Sequence, residues 1–582
     1  MKCLLTGMCL LIALSPAQGQ PASIGGLQDP SLARPAAPLQ ALFAALNSHR
    51  SGIGCAALAW HEPTARSAQT HSDDMFRRRY FEHASPEGVT FDKRLRLAGV
   101  ASRGLSSENL ALTPAGPQSV MDMWMESPGH RRNLDNCSFT AVGIGERDGL
   151  WTAVFVTRPV VDSRNTLVPV SGGQQVDSVQ AWLESFVASP LAERLELAHK
   201  LTDAGAGFER TAEFLRDGRR YGHDVETGKL DRSRIDSGGV EHPYVVLVPE
   251  TYDPERRYPV RVYLHGGISR PAWKAGGGWW RSYERTDDDE RITVIPASWE
   301  GSKWWEASQW ENLREILDEL KREYNVDENR VSLLGISDGG SGVYFQAMRW
   351  STPWASFLPY IGHPAVVNNP RMQPDGEVYA INLTNKPLYI VNTENDRLYP
   401  AESITPYIEE WRRAGADITF RPIQGAGHDL SWIGSETPRI DAFVENHPRQ
   451  PLPDRVRWET ERTDRYNRVH WVEILALGTV AGESSFEPVG GLRHRFPSGR
   501  IEVLKQGNQV SVLTRAIRRF RLLLSPDHFD FEQPVRVTAN GRIVFEGMVT
   551  SGVGPLLRWA AEDLDRTMLF GAELDLDLAA DG

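Results

Sequence analysis

The sequence predicts a multidomain α/β protein, with a doubly wound α/β domain in the middle and a small β-rich domain behind it. Three observations carry this expectation. The chain has 582 residues, more than one hydrophobic core usually organises. Between 240 and 447, short apolar runs alternate with amphipathic stretches. Leu313, Ile316, Leu317 and Leu320 keep a helical rhythm, as do Ile404, Tyr407, Ile408 and Trp411, with Gly415 as a C-cap. Strands alternating with such helices build a doubly wound sheet. From 457 to 582 the pattern becomes strand-like, and "PVRVTANGRIVFEG" sets Asn540-Gly541 as a hairpin turn between two β-branched runs.

The first residues are "MKCLLTGMCLLIALSPAQGQ". Lys2 precedes an apolar run too short to span a bilayer, and Ala17-Gln18-Gly19 offers small residues to a signal peptidase. Residues 1–19 therefore read as a cleaved secretory signal, with an uncleaved anchor as the alternative. Residues 20–37, rich in Pro, Gly, Ser and Ala, read as a linker. No later stretch is apolar enough for a transmembrane segment, so the expected location is secreted or periplasmic. Apolar content of 41% and charged content of 24% are ordinary for a soluble chain, and a net charge of −12 argues against nucleic-acid binding, which needs a basic footprint. Cys3 and Cys9 leave with the signal. Cys55 and Cys137 remain, an even pair that suggests one disulfide in an exported protein, with two buried thiols as the alternative.

A compact region is expected over 38–157. Leu39, Leu42, Phe43 and Leu46 share one helical face, and His83, Glu108 and His130 each sit in a polar turn. Histidines and a carboxylate converging in a cleft can hold a divalent metal. Their spacing alone assigns no metal site, because lone His and Glu residues are usually surface or capping groups. Residues 158–239 read as a linker, "VVDSRNTLVPVSGGQQ", followed by a helical segment marked by Trp182, Phe186, Leu191 and Leu195.

The chemistry is written into 240–447. "RVSLLGISDGGSG" places Ser337 between Gly335 and Gly339, after a strand and before a helix. This pattern is a tight turn that exposes a serine hydroxyl at the end of a sheet. "RVYLHGG" supplies a strand followed by Gly266-Gly267, whose backbone can face a developing oxyanion together with the N–H of Asp338. "PLYIVNTENDRLYP" carries Asp396 after a strand, and "ITFRPIQGAGHDLSW" carries His428 in a glycine-rich loop. A serine hydroxyl becomes a nucleophile when a base removes its proton. His428 can be that base, and Asp396 can orient it. Glu394 is the competing carboxylate. His265, beside the glycines, reads as structural rather than as a base. Seven tryptophans (273, 279, 280, 299, 304, 305 and 310) crowd the stretch before the serine turn. Most are expected in core or lid packing, with two or three lining a pocket.

Two families resemble parts of this chain. Residues 240–447, through "YVVLVPETYDPERRYPVRVYLHGG", "NVDENRVSLLGISDGGSG" and "GAGHDLSW", resemble the α/β-hydrolase superfamily. Within it they look like secreted esterases related to polyhydroxyalkanoate depolymerases and feruloyl esterases, with prolyl-oligopeptidase-type peptidases nearby. The resemblance implies acyl transfer to water through a serine ester, with no cofactor required. Residues 38–157, through "HASPEG", "EN" and "SPGHRRN", resemble the superfamily of cysteine-rich secretory proteins, antigen 5 and pathogenesis-related proteins (CAP/SCP). That resemblance implies an α-β-α sandwich with a shallow cleft lined by two histidines and acidic residues, here His83, Glu108 and His130. Glu126 is a nearby second acid that does not clearly match. The implied role is binding of a lipid, glycan or peptide; a divalent metal there is an expectation without support in the spacing. "GIGCAALAW" and "NLDNCSFTAVG" match a cysteine pair of bacterial members, which implies a Cys55–Cys137 bridge.

The combined expectation is an exported serine hydrolase acting on an ester-bearing small molecule or polymer, with a CAP-like binding domain in front. A serine peptidase and a non-catalytic binding protein are the alternatives. Residues 457–582 carry no nucleophile set or metal spacing and read as a docking or stability element.

Overall fold

The computed structural model describes residues 37–578, apart from 86–89, 92–93, 96–99, 103–105, 158, 162–171, 237, 275, 283–289, 481 and 488. The expected signal and nearly all of the expected linker at 20–37 lie outside the described residues. The chain divides into two units, one holding the elements up to Val161 and the other those from Gly172 onward.

In the first unit, α1 (Ala37–Gly52), α2 (Glu62–Arg78), α3 (Pro117–Glu126) and α4 (Pro128–Leu134) surround a four-stranded sheet. Its strands are β1 (Ala59–Trp60), β2 (Ser106–Leu112), β3 (Ala141–Arg147) and β4 (Leu150–Val156), in the order β1-β3-β4-β2. Leu42 and Leu46 of α1 and Val120 and Trp124 of α3 bury one face against Val142, Ile144 and Phe155. On the other face, α2 lies very close to β3. A Cβ on Gly143 would stand 2.0 Å from the Ala65 amide nitrogen, and one on Gly145 would stand 2.3 Å from the Gln69 Cα. Glycine at alternate positions of one strand thus lets a helix backbone sit directly on the sheet. The result is the expected α-β-α sandwich. Cys55 and Cys137 form a disulfide across 82 residues, with Cα atoms 5.0 Å apart. Beside it, the buried Arg50 guanidinium donates to the carbonyls of Ala56, Leu134, Asn136 and Phe139, tying the ends of α1 and α4 together.

The second unit opens with α5 (Gly172–Ala188), α6 (Leu191–Asp203) and α7 (Phe208–Glu213). An eight-stranded sheet follows, built from β5 (Gly228–Ile235), β6 (Glu241–Val248), β7 (Tyr258–Leu264), β8 (Ile292–Pro296), β9 (Val326–Ile336), β10 (Ser356–Tyr360), β11 (Leu388–Thr393) and β12 (Ile418–Ile423). The order is β5-β6-β8-β7-β9-β10-β11-β12. β5, β6 and β8 are antiparallel neighbours, and the rest of the sheet is parallel. The helices α8 (Ala307–Glu323), α9 (Asp338–Arg349) and α10 (Ala401–Arg413) cover one face, where Leu313, Ile316, Leu317, Phe345, Ile404 and Trp411 join Val260, Val262 and Leu333 in one core. α11 (Ile433–Asn446) covers the other face through Ile440 and Phe443. This is the doubly wound α/β-hydrolase-like arrangement. Its edge strand β5 starts before residue 240, where the sequence reading begins the domain. The alternating exposure of β5 gives it no continuous apolar run to mark it.

The last part holds a five-stranded and a four-stranded sheet. Trp458, Ile501 and Val503 of the former and Ile474, Phe520 and Leu522 of the latter share a core, as in a β-sandwich. The Asn540-Gly541 hairpin forms as expected, with φ of 49° and 80° at the turn. One element was not foreseen: α12 (Val553–Asp563) leaves the sandwich and puts Leu556, Leu557 and Ala560 into a core shared with Leu183, Phe186 and Leu201 of α5 and α6. The segment before the α/β domain and the segment after it therefore complete one helical cluster. Buried ions tie the residues just after α12 to β9 and to the segment that follows α11. Arg449 and Asp565 pair at 2.7 Å with side chains 1% and 2% exposed, and Arg566 pairs with Glu328 of β9 at 2.6 Å.

Removing one member of such a buried pair strands the other charge. Asp565→Ala should lower stability by about 3–5 kcal/mol, read from the denaturant midpoint of equilibrium unfolding. An unchanged midpoint would show that water solvates Arg449.

Candidate functional site

β9 ends at Ile336 and α9 begins at Asp338, so Ser337 must reverse the chain by itself. It does so at φ 58° and ψ −117°, a region that L-residues rarely occupy. The flanking glycines make the reversal fit. A Cβ on Gly335 would lie 2.2 Å from the Gly339 carbonyl oxygen, and one on Gly339 would lie 1.9 Å from the Leu264 carbonyl oxygen at the end of β7. The Ser337 N–H donates to the Tyr360 carbonyl at 3.0 Å, holding the turn to β10.

Asp396 stands in the loop after β11 and is buried, 3% exposed. Its Oδ1 accepts the N–H groups of Leu398 and Tyr399 at 2.7 and 3.0 Å, and its Oδ2 receives His428 Nδ1 at 2.7 Å. A carboxylate in this position accepts, so Nδ1 carries the proton and Nε2 is left as an acceptor. Nε2 lies 2.8 Å from Ser337 Oγ. The His428 loop is held from two sides. Thr393 Oγ1 donates to the Gly427 carbonyl at 2.7 Å, and the Asn395 N–H donates to the Ala426 carbonyl at 3.0 Å. The competing carboxylate, Glu394, turns elsewhere and accepts the Gly425 N–H. The structure thus brings Ser337, His428 and Asp396, 91 and 32 residues apart in sequence, into one hydrogen-bonded line.

The turn after β7 packs against this line. A Cβ on Gly266 would lie 2.9 Å from Ser337 Cβ, and Gly267 takes φ 69°. The Gly267 N–H donates to Asp338 Oδ2 at 3.0 Å. The Asp338 N–H sits at the first position of α9, where helix geometry leaves a donor without an intrahelical acceptor. His265 anchors the turn from below. Its Nδ1 donates to the Gly266 carbonyl at 2.8 Å, its Nε2 accepts the Ser298 N–H at 3.0 Å, and its own carbonyl accepts Trp304 Nε1 at 2.9 Å. Both ring nitrogens are engaged only in the neutral form. Burial pushes its pKa from 6.5 down to about 4.

The tryptophans mostly serve packing. Trp279, Trp299, Trp304 and Trp305 are buried, and Trp310 packs on Trp350 and Tyr466. Trp273 is half-buried, with its ring centroid 6.3 Å from that of His265 and the Arg270 guanidinium 3.2 Å over its face. Trp280, also half-buried, meets Lys229. Tyr399, whose ring lies 5.9 Å from the His428 ring, is a neighbour that the sequence did not single out.

In the first unit, Glu108 of β2 is buried. Its Oε1 receives His83 Nδ1 at 3.0 Å, and its Oε2 receives Arg94 Nη2 at 2.7 Å. The Glu108 hydrogen bond raises the His83 pKa. Burial, and then the His83 charge, lower that of His130 in α4. Glu126 is exposed at the end of α3. A guanidinium already occupies one oxygen of the central carboxylate, and among the described residues no three His, Cys, Asp or Glu side chains are grouped to hold a metal. Arg94 escaped the sequence reading because nothing in its local pattern marks it.

His265 generates a pH prediction. Its folded pKa is depressed, so the unfolded chain binds the proton more tightly between about 4 and 6.5, and stability is lost as pH falls through that window. The difference in unfolding free energy between wild type and His265→Asn should change by roughly 3 kcal/mol from pH 7 to pH 4. A difference independent of pH would show that the ring titrates normally.

Residues 43–147 match the family model described as CAP, the cysteine-rich secretory protein family. The chain is 35% identical over 113 residues to the uncharacterized protein YkwD of Bacillus subtilis (strain 168), covering 19% of this chain and 43% of that one. It is 28% identical over 132 residues to the bifunctional acetylxylan esterase/xylanase XynS20E of Neocallimastix patriciarum, covering 22% of this chain and 19% of that one. A crystal structure of a thermostable esterase is 22% identical, with 38% of this chain and 63% of that chain covered and a TM-score of 0.31. The chain spans less than half the length of the curated relatives it matches. Residues 43–147 thus form a CAP domain, and the other matches link the chain to the hydrolases at the level of the superfamily.

Proposed function

We propose that residues 228–447 form a serine hydrolase that cleaves carboxylic esters. The observation that carries this reading is the hydrogen-bonded line Ser337–His428–Asp396 with Ser337 at a strained, left-handed φ. In the reaction, Ser337 Oγ attacks the ester carbonyl carbon as His428 Nε2 takes its proton. Asp396 holds the imidazole in the tautomer that leaves Nε2 free and stabilises the imidazolium. The tetrahedral oxyanion takes the Asp338 N–H, with the Gly266-Gly267 turn as the facing wall. His428 returns the proton to the departing alcohol, leaving an acyl-serine. A water molecule, deprotonated by His428, attacks that acyl group, and Ser337 Oγ leaves with the proton. No cofactor enters these steps. The similarity to an acetylxylan esterase supports esters as the substrate class.

We assign the CAP domain to binding of a lipid, glycan or peptide, and the whole chain to the secreted or periplasmic space. Among the described residues no helix is long and apolar enough to cross a membrane.

The test is hydrolysis of p-nitrophenyl acetate, butyrate and decanoate, beside amino-acyl nitroanilides. Ester turnover should fall by about 10³-fold or more in Ser337→Ala and His428→Ala and by about 10⁴-fold in Asp396→Asn, with folding retained. A fluorophosphonate should label the wild type and not Ser337→Ala. Turnover of the anilides alone would move the reading to a peptidase. Silence on every substrate with no labelling would leave a binding protein.

A further inference from the structure

Asp338 follows the nucleophile directly, yet its side chain serves the opposite wall. One carboxylate oxygen, Oδ2, accepts the N–H groups of both Gly267 and Ile268, at 3.0 and 3.1 Å. Two successive backbone N–H groups converging on one oxygen form a small anion-binding nest, and Gly267 at φ 69° gives it its curvature. The carboxylate that fills the nest starts from the first residue of α9, a rigid base. The helix backbone there is wedged against the end of β7, since a Cβ on Gly339 would strike the Leu264 carbonyl oxygen at 1.9 Å.

We infer that Asp338 is a positioning residue, whose carboxylate ties the Gly266–Ile268 turn to the nucleophile turn and so sets the width of the oxyanion side of the site. This rests on the hydrolase reading above and adds to it. Gly266 lies directly on Ser337, so a shift of the turn by a fraction of an ångström changes the approach of a tetrahedral intermediate. The negative charge does not oppose the developing oxyanion in full. Oδ2 is spent on two N–H groups, and the carboxylate sits at the N-terminus of α9, where the helix dipole favours it. The consequence for specificity is that the Gly267 N–H is committed within the protein. The Asp338 N–H becomes the donor that meets substrate, and the turn acts as a fixed wall rather than as a movable donor.

Because a single oxygen makes both bonds, an amide oxygen suffices. In p-nitrophenyl butyrate hydrolysis, Asp338→Asn, as the conservative rescue, should recover most of the kcat that Asp338→Ala loses, about tenfold. Asp338→Ala should lose roughly 10- to 100-fold in kcat with KM little changed. Asp338→Glu, which keeps the charge and displaces the oxygen, should fall like Ala and serves if the Ala variant does not fold. Amide hydrogen exchange at Gly267 and Ile268 should speed up in Ala and Glu and not in Asn. A kcat that rises in Asp338→Ala would overturn the inference and make the carboxylate a competitor for the oxyanion. So would an Asn variant as poor as Ala, or an Ala variant equal to wild type. Fluorophosphonate labelling of the wild type, lost in Ser337→Ala, separates these outcomes from failure of the hydrolase reading: an unlabelled wild type sinks that reading, whereas a labelled wild type with indifferent Asp338 variants sinks only this one.

Discussion

The geometry of the proposed site depends on one close approach, the first turn of α9 pressed against the end of β7. Backbone meets backbone there with no room for a Cβ at Gly335 or Gly339. That approach leaves Ser337 no path from strand to helix except a left-handed φ, which costs of order 1–3 kcal/mol. The surrounding sheet holds it, through the Ser337 N–H on Tyr360 of β10 and the buried apolar core beneath α9. The same wedge points the Ser337 hydroxyl at His428 and the Asp338 carboxylate at the turn after β7. One packing constraint thus sets Ser337, its bond to His428 and the turn after β7 together.

Around this point, the groups that could disturb the site are held neutral or saturated. His265 is buried and spends both nitrogens on backbone partners, so it keeps the turn in shape and takes no proton near neutrality. Asp396 is saturated by two N–H groups and the imidazole, so its carboxylate has one fixed orientation toward His428. The tryptophans that crowd this stretch mostly extend the same support, with Trp304 reaching the His265 carbonyl from within the core. Aromatic density before a serine turn here reflects scaffolding more than ligand contact.

The second unit is more interwoven than its linear order suggests. The helices before the α/β domain share a core with α12, which follows the β-sandwich, and buried Arg–carboxylate pairs join the residues just after α12 to Glu328 of β9 and to Arg449. Such ions cost desolvation that only good geometry offsets, so they select one relative placement of these parts over others. In the first unit, Glu108 joins His83 and Arg94 in one ion network, with each carboxylate oxygen taking one of them.

The sequence by itself determined most of the fold class and singled out Ser337 and His428, two of the three groups in line. Period and punctuation are local signals. The helix rhythm of α8 and α10, the Asn540-Gly541 turn and the glycines around Ser337 follow from what adjacent residues can do, and the Ser, Asp, His order follows from strands that end at one sheet edge. Tertiary structure decided what depends on distant partners. Choosing Asp396 over Glu394 required knowing which carboxylate reaches His428 Nδ1. The edge strand β5 has too little burial to declare itself, and α12 finds its partners far upstream, in the core it shares with Leu183 and Leu201 and in the Arg194 bond to the Ala561 carbonyl across 367 residues. The Arg94–Glu108 pair and the Asp338 carboxylate on Gly267 were equally hidden. A side chain's hydrogen-bond partner is set by the path of another segment, and no pattern within its own segment encodes that path.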